Sequence, residues 1–189
     1  MKKYIKEILL TVAVCLALII AMFPTGATKS DDVSALAEVL LTESTQPETT
    51  QTVTLYEVPL DEDLQTYIIQ LCEEKHIHPA IVFSMCFYES TYNSNAIGDN
   101  GNSFGLMQIQ PRWHYDRMTR LNCTDLLDPF QNVTVGIDYL AEMRDRYDGH
   151  IARALTAYNQ GHYNGTVTDY ALNVMNLADE LRGEDNAIY

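Results

Sequence analysis

A single glutamate, Glu89, closes an almost wholly apolar run in which Ile81, Val82, Phe83, Met85 and Phe87 precede it. Burying an ionised carboxylate without a partner is costly, so a carboxyl lodged behind such residues raises its pKa and keeps its proton. A protonated carboxyl near neutral pH is what glycosidic bond cleavage needs, because the leaving oxygen must receive a proton. The same position also suits a local cap or an outward-pointing residue at a fraying helix end, and position alone does not separate these. A hydrolase of this kind usually uses a second carboxylate to position water, and Asp99 is the nearest candidate. It sits in Gly98-Asp99-Asn100-Gly101-Asn102, where such residues equally serve tight turns. Asp116 and Asp125 are further acids with no motif behind them. His76 and His78 flank Ile77 with no third ligand nearby and read as surface or helix-end residues. No metal and no organic cofactor is implied.

The elements that must hold these residues read as helices. Asp61 to Lys75 carries Leu64, Tyr67, Ile68, Leu71 and Cys72 on one face, with acids in its first turn. Pro79 suits a first helical position, and Ala80 to Tyr88 is apolar nearly all round, the pattern of a central helix. Residues 93–103 are loop by composition, with at most a short β-hairpin in 95–110. Asp128-Pro129 opens a helix through Val133, Ile137 and Leu140 to about Tyr147; others cover Ile151 to Tyr158 and about Val167 to Leu181. The expected fold class is mainly α, in a domain of residues 57–183.

Five motifs placed on these elements resemble the lytic transglycosylase catalytic domain, the lysozyme-like fold also called the SLT domain. Glu89-Ser90 matches the family's catalytic Glu-Ser pair, with Tyr92-Asn93 as its aromatic-Asn. Gly105-Leu106-Met107-Gln108-Ile109 reproduces its GLMQ block. Asp128-Pro129, Asn132, Gly136 and Tyr139-Leu140 follow its next helix, Ala157-Tyr158-Asn159-Gln160-Gly161 its AYNxG, and Tyr170 with Val174 its final helix. Two positions depart. Ser94 stands where commoner members carry proline, and Ile97 or Gly98 replaces a loop serine that often touches substrate.

The resemblance implies that Glu89 acts alone on peptidoglycan glycan strands, first as acid on the oxygen between N-acetylmuramic acid and N-acetylglucosamine, then as base on the muramic C6 hydroxyl. A 1,6-anhydro ring closes without water. Gln108 and Asn159 offer amide groups to the sugars. Tyr158 and Tyr170 can hydrogen-bond the glutamate, Gly105 admits the saccharide close to the backbone, and Met107 lines its apolar face; plain core burial is the alternative for Met107. Ser90 joins them as a substrate-side residue. Trp113 and Tyr115 either form a sugar-stacking wall or close the core.

Composition narrows the setting. Twenty-six acidic against 12 basic residues give a net charge of -14, and no stretch supplies the basic face a nucleic-acid binder needs. Lys2, Lys3 and Lys6 precede an apolar stretch from Ile8 to Phe23, followed by Pro24, Thr25, Gly26 and Ala27. A cleaved signal peptide and a membrane anchor both fit residues 1–27, and either places the remainder outside the cytoplasm. Residues 28–56 read as an acidic, Thr-rich stalk and 184–189 as a tail. Cys72, Cys86 and Cys123 are an odd set, so at most one disulfide can form among them; Cys72 and Cys86 lie among apolar neighbours, which suits buried free thiols. Asn122, Asn132 and Asn164 begin N-x-Thr triplets that are incidental for an exported bacterial protein. A compact enzyme on a short tether suggests local wall opening for a secretion or conjugation apparatus. A muramidase using water and a non-catalytic saccharide-binding or assembly module are the rival functions.

Overall fold

The computed structural model describes residues 54–183. The expected apolar segment, nearly all of the stalk and the tail lie outside the described residues. Six helices and one pair of short strands make up what is described: α1 (Glu62–Glu74), α2 (Pro79–Ser90), β1 (Ile97–Gly98), β2 (Ser103–Phe104), α3 (Pro111–Arg120), α4 (Pro129–Arg146), α5 (Ile151–Gln160) and α6 (Asp169–Arg182). The strands pair antiparallel, with Ile97 opposite Phe104 and Gly98 opposite Ser103.

The helix that carries Glu89 is central, as its composition predicts. His78 caps α2 by accepting from the Ala80 amide through Nδ1, and Pro79 occupies the first turn, where its missing N–H is no loss. Every residue from Ala80 to Cys86 is buried. The helix packs against α6 on one side and α1 on another. It stops at Thr91 and Tyr92, both in the left-handed region (φ 52° and 61°), so the chain turns sharply just after the glutamate. Upstream of α1, Tyr56, Val58 and Leu60 lie against the core, with the Tyr56 ring 4.7 Å from that of Phe83.

The long α4 is capped by Asp128, whose Oδ1 accepts from the Phe130 and Gln131 amides. It buries Val133, Val135, Ile137 and Leu140 and packs on both α5 and α1. Cys72 and Cys86 are free and buried, as expected, and Cys123 is free and buried as well. Burial pushes the Cys72 thiol up to about 12.

Helix α3 was not anticipated from the sequence. Its ten residues bury only His114, so no apolar stripe announces it. Charge docks it instead. Asp138 on α4 accepts from Arg117 at 2.9 Å and Arg120 at 2.7 Å on α3, and from Lys75 at 3.3 Å just after α1. Burial alone would push the Asp138 carboxyl up; the guanidiniums of Arg120 and Arg117 outweigh it and hold it at about 2.

Candidate active site

Glu89 occupies the last turn of α2, and its carboxyl opens into a cleft of about 780 Å³, within the ~300–1,000 Å³ of ordinary ligand clefts. The hairpin side contributes Asp99, Ser103 and Gln108, helix α3 contributes Trp113 and His114, and the end of α5 contributes Tyr158 and Asn159. Tyr170 on α6 donates its hydroxyl to Glu89 Oε1 at 2.6 Å. Burial raises the carboxyl from 4.5 to about 7; the Tyr170 hydrogen bond pulls the other way, and the charge of Asp99 adds to the rise. A helix C-terminus also disfavours a negative charge. The outcome is a carboxyl that exchanges its proton near neutral pH.

The residues expected at the site divide into two groups. Glu89, Gln108, Tyr158 and Asn159 line the cleft, and Tyr170 grips the glutamate from behind. Ser90, Gly105 and Met107 do not face it. Ser90 donates its hydroxyl to the carbonyls of Cys86 and Leu106, both at 3.0 Å, tying the end of α2 to the strip that follows β2. Met107 is wholly buried and its side chain lies against Gly136 of α4, so core burial is its role rather than an apolar sugar face. Gly105 has φ 72°, and a Cβ there would collide with Asn132 Nδ2 and the Leu126 carbonyl. The close approach that this glycine permits is therefore by a protein side chain and not by saccharide.

Two further roles shift. Tyr158 donates to the Met107 carbonyl at 3.0 Å rather than to Glu89. Gln108, itself at φ 46°, donates Nε2 to the carbonyls of Gly105 (2.9 Å) and Ala96 (3.3 Å). Its amide nitrogen is engaged in holding the hairpin, and its oxygen lies over Gly98, where a Cβ would strike it. The loop position at which the sequence departs from the family pattern is thus the seat of a motif glutamine.

Asn132 organises this wall. Its Oδ1 accepts from the Met107 amide at 2.8 Å, and Nδ2 donates to the carbonyls of Phe104 (2.8 Å) and Leu126 (2.9 Å). It is fully buried, which leaves the N-x-Thr triplet without meaning as a modification site. Asp99 takes part in turn chemistry and also faces the cleft. It lies at φ 47°, and its Oδ2 accepts from Ser103 Oγ and from Gln110 Nε2, the latter at 2.8 Å.

On the far side of the cleft the sequence pointed to Trp113 but not to His114. His114 packs on Tyr139 with ring centroids 4.5 Å apart and planes inclined at 60°, and burial, then the Arg117 charge, pushes its imidazole down to about 4. The signal lay in the WHYDR stretch, read only for its aromatics. Trp113 and Tyr115 are 72% and 73% exposed, so neither closes the core; only Trp113 lines the cleft. His76 and His78 are exposed around the α1–α2 turn.

A family profile described as the transglycosylase SLT domain matches residues 66–181. Among solved structures, an inactive glutamate-to-glutamine mutant of the lytic transglycosylase Slt from Pseudomonas aeruginosa superposes with a TM-score of 0.58 at 20% sequence identity. The match covers 69% of this chain and 25% of that one, so the chain spans about a quarter of that protein's length. The likeness there is one of fold, a lysozyme-like, mainly helical domain.

Proposed function

The chain belongs to the transglycosylase SLT family, and from that premise we propose that it is a peptidoglycan lytic transglycosylase in which Glu89 serves as acid and then as base. The observation that carries this reading is the Glu89 carboxyl, largely buried in the cleft wall, poised at about 7 and held by Tyr170 at 2.6 Å. A group with that pKa is available in both protonation states near neutral pH.

The steps balance with one carboxyl. Glu89 delivers its proton to the glycosidic oxygen as the bond from muramic C1 breaks, and N-acetylglucosamine leaves with the proton. The carboxylate then takes the proton of the muramic C6 hydroxyl as O6 bonds to C1. The 1,6-anhydro ring closes, the glutamate is reprotonated, and no water is consumed. Tyr170 keeps the carboxyl in one rotamer and stabilises the charged form between the steps. Asp99 is the acid of the rival, water-using reading: it lines the cleft, and Ser103 and Gln110 both bond its Oδ2.

Mass spectrometry of digested peptidoglycan tests the proposal. Anhydro-muramic ends, lighter by one water, are expected. Reducing ends would replace it with a muramidase that uses Asp99 or another acid, and the absence of any lysis would favour a saccharide-binding module. The basic residues ahead of Ile8–Phe23 support export, and local wall opening beside a secretion or conjugation apparatus is the role such a tethered enzyme suits. Recruitment by that apparatus is the check on this last step; activity spread over the whole wall counts against it.

A further inference from the structure

Three arginines, Arg112, Arg117 and Arg146, line the cleft of a strongly acidic protein. Two of them are engaged within the fold. Arg117 pairs with Asp138 and Glu142, and Arg146 pairs with Glu142 at 2.8 Å. Arg112 differs. Among the described residues it forms no ion pair, and neutral groups hold it instead. Its Nε and Nη2 both donate to Gln110 Oε1, at 3.2 and 3.0 Å, while the guanidinium lies 5.0 Å from the Trp113 ring centroid. Gln110 is itself fixed by donating to Asp99 Oδ2 and, at 3.1 Å, to Ser103 Oγ.

A cation fixed in this way has already lost much of its rotamer freedom, so less entropy is lost when it binds an anion. The outer edge of the guanidinium, Nη1–H with the second Nη2–H, takes no part in the bonds to Gln110. That edge matches the two oxygens of a carboxylate. The indole covers one face of the guanidinium, a cation–π contact at the exposed rim of the cleft. The nearest acid along this chain of hydrogen bonds, Asp99, is separated from Arg112 by Gln110.

We propose that Arg112, backed by Trp113, is a specificity element that binds a carboxylate of the stem peptide carried on the muramic lactyl group. The inference rests on the peptidoglycan reading of the same cleft and adds a preference for glycan strands bearing acidic stems. The glycosidic chemistry at Glu89 does not require it.

Binding to the full chain carrying Glu89→Gln separates the two ideas, because affinity is then read without turnover. Titration calorimetry uses three soluble peptidoglycan oligomers: with acidic stems, with stem carboxylates amidated, and stripped of stems by an amidase with the lactyl carboxylates so released then amidated. The acidic form is expected to bind about tenfold tighter than either neutral form, the effect of one charge-assisted contact. Adding Arg112→Met should bring that ratio close to one, and Arg112→Lys should keep part of it. Arg153→Met removes the same charge outside the cleft and should leave the ratio in place. An equal affinity for all three oligomers, a ratio that survives Arg112→Met, or an equal fall with Arg153→Met overturns the proposal. If the Glu89→Gln protein still lyses cell wall, the catalytic reading fails while the calorimetric ratio still decides the role of Arg112.

Discussion

Replacing Glu89 with glutamine is expected to abolish lysis and, above neutral pH, to make the domain more stable. In the unfolded chain the carboxyl titrates near 4.5, and in the folded protein near 7. Between those values the unfolded state has released a proton that the folded state still holds, so stability falls as pH rises across this window. At about 1.4 kcal/mol per pH unit, the interval of 4.5 to about 7 corresponds to roughly 3 kcal/mol, lost in full above the folded value. Solvent reaching the carboxyl through the cleft reduces this to about 2–3 kcal/mol. Glutamine cannot ionise, and its Oε1 still accepts from Tyr170. Urea unfolding followed by helical circular dichroism at pH 4 and pH 8 provides the measurement. The gain from Glu89→Gln should be about 2–3 kcal/mol larger at pH 8 than at pH 4. Any fixed effect of burying the amide cancels in that difference, as does the titration of Asp138. Equal changes at the two pH values would refute the argument that burial sets the proton affinity of Glu89.

Three other outcomes are expected. Because the first step needs the protonated carboxyl, kcat/KM should fall on the alkaline side with a midpoint at about 7. Tyr170→Phe removes the donor that favours the ionised form, so it should move that midpoint upward and lower kcat by roughly tenfold; an unmoved midpoint in the pH–rate profile would count against it. Asn132→Ala leaves the Met107 amide and the Leu126 carbonyl without a partner, while the Phe104 carbonyl keeps its bond from the Ile109 amide, at roughly 2–4 kcal/mol by denaturant unfolding. Trp113→Ala, at an exposed position, should change stability by less than about 0.5 kcal/mol while raising KM for glycan strands; a large loss of stability would instead make Trp113 structural.

What the sequence made legible follows from what local pattern encodes. Helix α2 was readable because Pro79 starts it and its apolar residues run all round; burial of Glu89 followed from that run. Helix α3 was not, since ion pairs to Asp138 dock it, and a charge partner 18 or 21 residues away leaves no periodic trace. The motif block at 105–109 could be recognised but its faces could not. Gly105 looks like a glycine that admits a ligand until Asn132, remote in sequence, proves to fill the space. Met107 looks like a groove residue until Gly136 removes the side chain that would have excluded it from the core. Gln108 has both donors turned onto backbone carbonyls, a consequence of its left-handed φ that no side-chain pattern announces.

The Met107 amide is bonded by a side chain rather than by a helix or sheet ladder. Its hydrogen bond opens only when Asn132 withdraws, and Asn132 belongs to α4. Amide hydrogen exchange at Met107 therefore reports the parting of Asn132 on α4 from the strip whose Leu106 carbonyl is tied to Ser90 beside the glutamate, a motion that ladder amides do not isolate. Slow exchange at this one position, compared with the exposed turn at Asn100–Asn102, would mean that the wall is already formed before any glycan strand arrives. The part of the cleft free to adapt to its substrate is then the side formed by α3, held by charge and open to ionic strength.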